Sequence, residues 1–228
     1  MPVPEGATTR SQKTHGAQKA QEAHKAHKVH KVGIFGGTFD PPHVGHEAAA
    51  RAILSDLDLD RLLLMVANDP WQKSPTRPIT PAEDRFAMTQ ALAESIPGAS
   101  ASRLEIDRGG PTYSIETVEA VLDQASREGQ PEPQVFLVVG ADLVPELGTW
   151  DRAADLARLV TLAVVSRPTT PRPAVPPGWV VRWVDGPLVD VSSSGIREIL
   201  ARGGPVDGLV PPAVMLCMAR RDLYAVGR

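Results

Sequence analysis

Residues 32–46 read Val32-Gly33-Ile34-Phe35-Gly36-Gly37-Thr38-Phe39-Asp40-Pro41-Pro42-His43-Val44-Gly45-His46. A short apolar run passes through two glycines into an alanine-rich, helix-like stretch. A strand–loop–helix junction of this kind is suited to holding phosphates. Glycines let the backbone approach an anion closely. The helix start offers N–H groups and a partial positive charge. His43 and His46 add donors that are cationic or neutral near pH 7. The dinucleotide pattern G-x-G-x-x-G is absent, and no Gly-Lys-Ser/Thr follows to make a P-loop. The two histidines stand three residues apart, on neighbouring positions of one helix turn. That is also a metal-ligand spacing, but no Cys or further His lies close in sequence to complete a zinc set.

Outward from this segment, apolar runs alternate with helical patterns. Strands are expected at 32–36, 61–67, about 100–106, 134–139, 159–165 and 179–184. The runs at 61–67, 134–139 and 159–165 are continuously apolar, as in strands covered on both faces. Helices are expected at 44–56, 81–95, 114–128, 150–157, 193–202 and 211–222. Thr80 reads as the cap of the helix behind Pro81, with Glu83 three residues on. Ser192 or Ser193 reads as the cap of the helix carrying Ile196 and Arg197. This alternation predicts an α/β fold: a single Rossmann-like, doubly wound parallel sheet domain with helices on both faces. Ligands of such sheets bind beyond the C-terminal strand ends, at the switch in strand order. The Gly36–His46 loop falls there.

The chain of 228 residues suffices for one such domain. Residues 1–31 read as a disordered, basic, His-rich arm, and 32–228 as the folded domain. The arm carries six Lys/Arg against Glu5 and Glu22, a balance of +4; the remainder carries −7 of the total −3. An acidic body argues against a nucleic-acid-binding face. The single cysteine, Cys217, permits no internal disulfide and fits a cytoplasmic location. No apolar run approaches the roughly 20 residues of a membrane span. The N-terminus lacks an apolar secretory core. Assembly into a homo-oligomer is left open.

Gly-x-Phe-Asp-Pro-x-His-x-Gly-His resembles the signature of the HxGH nucleotidyltransferase superfamily. Ser192-Ser193-Ser194-Gly195-Ile196-Arg197 resembles that superfamily's phosphate-binding turn. Within the superfamily, Asn68-Asp69-Pro70-Trp71-Gln72-Lys73 is similar to the N-x-P-x-x-K loop of nicotinate-nucleotide adenylyltransferases. The same holds for Asp107-Arg108-Gly109-Gly110-Pro111-Thr112-Tyr113-Ser114-Ile115-Glu116-Thr117, for Gly140-Ala141-Asp142 with Leu147 and Trp150, for Arg167-Pro168, and for Leu223-Tyr224. The resemblance spans residues 32–224. Ser194 stands where Thr is common, Pro42 replaces a frequent aliphatic residue, and the arm has no counterpart.

The resemblance implies transfer of the adenylyl group of ATP to nicotinate mononucleotide, giving nicotinate adenine dinucleotide and pyrophosphate. The acceptor phosphate is already a nucleophile, so catalysis reduces to positioning and charge neutralisation. His43, His46, Lys73 and Arg197 are the implied catalytic residues. Gly36, Gly37, Thr38, Phe39, Gly140, Asp142, Ser194 and Ile196 join the two histidines and Arg197 in binding ATP. Asn68, Lys73, Tyr113, Ser114 and Trp150, with Trp71 beside them, are the implied mononucleotide site; the nicotinate carboxylate would meet backbone N–H groups around Ser114 and Trp150. Mg²⁺ is expected with the triphosphate rather than on protein ligands. Asp40 either meets it through water or caps the turn.

Overall fold

The computed structural model describes residues 30–70, 78–166, 171–186 and 189–224. Six strands form one sheet: β1 (Lys31–Gly37), β2 (Arg61–Val66), β3 (Ala99–Ser102), β4 (Gln134–Gly140), β5 (Val160–Ser166) and β6 (Val180–Asp185). They run in the order β3-β2-β1-β4-β5-β6, every neighbour parallel. Seven α-helices flank them among the described residues, the last two following β6: α1 (Val44–Asp56), α2 (Ala82–Ala93), α3 (Leu104–Arg108), α4 (Ser114–Arg127), α5 (Ala153–Leu159), α6 (Ser193–Ala201) and α7 (Pro212–Arg220). A 3₁₀ segment spans Ala141–Thr149.

The continuous apolar runs divide by parity, because successive strand side chains face opposite ways. Leu62, Leu64 and Val66 of β2 join Phe136, Val138 and Ala163 in one core, closed by α1, α2, α6 and α7. Leu63 and Met65 join Val135, Leu137, Val139, Leu162 and Val164 in the other, closed by α4, α5 and the 3₁₀ segment. The sheet is therefore doubly wound, with helices on both faces. From β1 the chain winds to one edge, then returns to β4 and winds to the other. The loops after β1 and β4 consequently diverge, opening a crevice at that end of the sheet.

Several expected boundaries give way. The strand placed at about 100–106 stops at Ser102, and residues 104–108 form α3. There Leu104 packs on one core, Ile106 on the other, and Glu105 is buried between. The helix expected at 150–157 starts at Ala153, behind an unexpected 3₁₀ segment containing Pro145. Pro81, not Thr80, is the cap position of α2, which has no side-chain cap. Ser192 is the cap of α6, its Oγ accepting from the Gly195 N–H at 3.1 Å. His30 and Lys31, the last residues of the expected arm, already belong to the fold: the His30 carbonyl accepts from the Gln134 N–H at 2.8 Å. The rest of the arm, residues 1–29, lies outside the described residues, as do Trp71, Lys73 and Arg167-Pro168. Among the described residues no helix is long and apolar enough to cross a membrane.

Candidate active site

The turn after β1 is shaped by close approaches. A Cβ on Gly37 would stand 2.9 Å from the Phe39 ring. Glycine there lets Phe39, in the left-handed region at φ 50°, fold back and bury its ring behind the cleft. That ring supports His46, with centroids 5.0 Å apart. At the start of α1 the His43 N–H donates to Nδ1 of His46 at 3.2 Å. The neutral His46 imidazole then carries its proton on Nε2. The two rings stack with centroids 3.7 Å apart. A Cβ on Gly45 would lie 3.0 Å from both His43 Nδ1 and Val191 Cγ1, so glycine between the histidines lets the ring and α1 close together. Nδ1 of His43 is buried without a hydrogen-bond partner among the described residues.

Burial lowers the His43 pKa from 6.5 to about 4. The neutral ring is therefore the resting form near pH 7. In the unfolded chain the imidazole protonates below about 6.5, and the folded chain resists this, so His43 makes folding less favourable as pH falls. Stability should decline by up to about 1.4 kcal/mol per pH unit from His43 between pH 6.5 and about 4. Urea unfolding of wild type and His43→Asn at pH 7, 6 and 5 measures this. The wild-type curve should be the steeper; parallel curves would contradict the assignment.

The serine-rich turn closes on the same loop. Ser193 Oγ donates to the Pro41 carbonyl at 2.9 Å. Arg197 donates through Nη1 to the Asp40 carbonyl and through Nη2 to Ser194 Oγ at 2.9 Å. Asp40 is 1% exposed; its Oδ1 accepts from the Tyr224 hydroxyl at 2.6 Å, and its Oδ2 lies 3.8 Å from Arg197. That hydroxyl accepts in turn from Thr80 Oγ1 at 3.2 Å. Burial, then the Asp40 carboxylate, pushes the Tyr224 phenol well above its ordinary value, so it remains a donor. Residues more than 150 positions apart in sequence thus form one wall.

At the ends of β4 and β5 lies a cavity of about 550 Å³, lined among others by Phe35, His43, His46, Gly140, Asp142 and Ser166; among the described residues, Arg197 and Ser194 do not line it. The structure accordingly brings together the histidines, Gly140 and Asp142, with Arg197 and Ser194 bracing the loop beside them. It places Ile196 in the core at 1% exposure, with its N–H donated to the Ser192 carbonyl. Ile196 and Phe39 bury their side chains in the core behind the cavity. Side-chain burial of this kind follows from helix phase and backbone twist, which a motif string does not display.

A second group gathers beyond β2. Asn68 Nδ2 donates to the Gly110 carbonyl at 3.1 Å, and Asp69 bridges to Pro111. The loop's other side rests on Glu105, which accepts from Thr117 Oγ1 at 2.6 Å. Burial pushes the Glu105 carboxyl up, while Thr117, Arg108 and Thr112 pull it back. Asp107 and Arg108 pair with Arg103 and Glu116. Ser114 opens α4, whose first-turn amides lack intrahelical acceptors, and Tyr113 supplies no side-chain cap. Trp150 is partly buried against the second core, with its N–H on the Leu147 carbonyl at 3.4 Å. Its segment is tied to α4 through Arg152 and Glu119 at 2.6 Å.

One buried cation escaped the sequence reading. Arg85, in the run Glu83-Asp84-Arg85, resembles surface charge. Yet it shares the buried stripe Arg85, Met88, Thr89, Leu92, Ala93 of α2, and that 3.6-residue phase was the available signal.

A doubly wound sheet with paired imidazoles and an arginine-bearing turn at its switch point defines an α/β nucleotide-phosphate-binding protein. A family model described as cytidylyltransferase-like matches residues 34–199. A protein of Corynebacterium kroppenstedtii is 38% identical over 196 residues, covering 85% of this chain and 90% of that protein. One of Streptomyces coelicolor is 37% identical over 191 residues, covering 83% and 98%. Both are named probable nicotinate-nucleotide adenylyltransferase. In fold, the chain is similar to Plasmodium falciparum nicotinic acid mononucleotide adenylyltransferase in its complex with NaAD, at TM-score 0.67 and 16% identity over 86% of this chain and 97% of that one. This chain belongs to the cytidylyltransferase-like family, in its nicotinate-nucleotide adenylyltransferase branch.

Proposed function

We propose that the chain transfers the adenylyl group of ATP to nicotinate mononucleotide, releasing pyrophosphate and forming nicotinate adenine dinucleotide. The observation that carries this is the direct junction of two candidate anion-binding turns, Arg197 on the Asp40 carbonyl and Ser193 on the Pro41 carbonyl, beside a cavity that His43 and His46 line. The relatives' names support the particular substrate pair. An oxygen of the acceptor phosphate would attack the α-phosphorus; the bond from that phosphorus to the bridging oxygen breaks, and pyrophosphate departs with the electron pair. No covalent intermediate is needed.

The chain's part is electrostatic placement. His46, with Nδ1 already accepting, would give Nε2–H to the triphosphate. His43 would do the same from a neutral, desolvated ring. Arg197 and Ser194 would hold the outgoing pyrophosphate, and Lys73 would add its charge there. Gly36, Gly37 and Thr38 would admit the phosphates, and Gly140 and Asp142 the ribose and adenine side. Tyr113, Trp150 and Asn68 would frame the acceptor, and the first-turn amides at Ser114 would suit its carboxylate. Among the described residues no group of three or more His, Cys, Asp or Glu could hold a metal, and both Asp40 oxygens face Tyr224 or Arg197. The donor set fits a Mg²⁺ carried in by the triphosphate, which would neutralise its charge. Asp40 is then a brace for the turn.

Pyrophosphate release from ATP, measured side by side with nicotinate mononucleotide, its amide and phosphopantetheine, tests the reading. The acid should react fastest; release with phosphopantetheine alone would overturn it. Trp150→Ala should raise KM for the mononucleotide about tenfold, as expected for one lost aromatic stack, with KM for ATP little changed. An effect confined to ATP would put the ring elsewhere.

A further inference from the structure

We infer that Arg85 is a positioning residue for the transfer, fixing the distance between the donor-phosphate turn and the acceptor loop. The inference rests on the adenylyl-transfer reading above. The β1–β2 ladder ends one step beyond the paired residues Gly37 and Val66, where the Ala67 N–H donates to the Gly37 carbonyl at 3.0 Å. From there the two chains diverge: one runs to Asp40 and His43, the other to Asn68 and the Gly110 loop. Arg85, 1% exposed, fills the fork. Its Nη1 donates to the Thr38 carbonyl at 3.0 Å and to the Ala67 carbonyl at 2.7 Å. Nη2 donates to the Asn68 carbonyl at 2.9 Å, and Nε to the Thr80 carbonyl at 2.8 Å.

One rigid plane therefore holds three segments. Thr38 leads to the histidines. Ala67 and Asn68 lead to the loop that Asn68 braces at Gly110. Thr80 begins the approach to α2 and gives its side-chain hydroxyl to Tyr224, which holds Asp40. A guanidinium has its donors at fixed angles and so sets the spacing of the carbonyls it joins; an ammonium gives donors from a single point and cannot span the fork. Arg85 is buried and gives its donors to four backbone carbonyls. It acts through the backbone on both sides of the reaction, so its removal should spoil alignment rather than binding.

The test uses the full chain and Arg85→Lys. Each substrate's affinity is measured alone by calorimetry, and kcat and both KM values by pyrophosphate release, well below the unfolding temperature. We expect kcat to fall about 100-fold, the scale of an ångström-sized misplacement, with both affinities within about threefold of wild type. A kcat within about threefold of wild type would overturn the proposal. So would a loss confined to one substrate's KM, which would mark a binding role, or a lysine chain that cannot be recovered folded, which would mark a role in the fold as a whole. If wild type itself releases no pyrophosphate with nicotinate mononucleotide, the functional reading has failed, and that result is separate from these.

Discussion

His46→Ala should lower kcat by about 10²–10³-fold while the chain stays folded, the scale measured for losing one preorganised donor to developing charge. Two features single this ring out. The His43 N–H occupies Nδ1, so the proton sits on Nε2 without further adjustment. The Phe39 and Phe35 rings, with centroids 5.0 and 6.1 Å away, and the His43 stack at 3.7 Å fix its plane. A donor held in place before the reaction costs no reorganisation during it. Alanine also removes the acceptor for a helix-start N–H, a loss of about 1 kcal/mol that a thermal melt reads separately. Steady-state pyrophosphate release is the measurement, and a rate within a few-fold of wild type would remove His46 from the mechanism.

Arg197→Lys should lower kcat by about 10²-fold although the charge is kept. The guanidinium divides its fork between the Asp40 carbonyl and Ser194 Oγ. That division ties the serine-rich turn to the turn after β1 and fixes the orientation of the guanidinium. An ammonium offers one point of charge with rotating donors, so it cannot hold both turns and also face a phosphate in a set geometry. Single-turnover rates with saturating ATP separate this from weaker binding. A variant whose defect disappears at high ATP would reduce Arg197 to a binding charge.

How much was legible follows the range of the interaction. The runs at 61–67 and 134–139 could be read as buried strands because two-sided cover leaves an unbroken apolar string. The helix at 44–56 could be read because its start carries the phosphate signature. The run 100–106 misled because Leu104 and Ile106 alternate like strand residues, whereas α3 uses one to pack on each core. Phe39 and Ile196 sit inside motifs, and a motif does not say which of its side chains the core buries. Arg85 was hidden because its partners are backbone carbonyls on other segments, and every residue's carbonyl looks alike in a sequence.

Residue order alone settled the strand–helix alternation, the two candidate phosphate turns and the family resemblance. All three depend on local spacing, the period of two or 3.6 and the glycines and histidines at a helix start. Only the folded chain decided that Arg197 reaches Asp40, that Tyr224 secures the same carboxylate, and that Arg85 joins the fork between β1 and β2. Those contacts cross long sequence separations, and they exist only once burial has brought distant backbone groups within reach of a donor shielded from water.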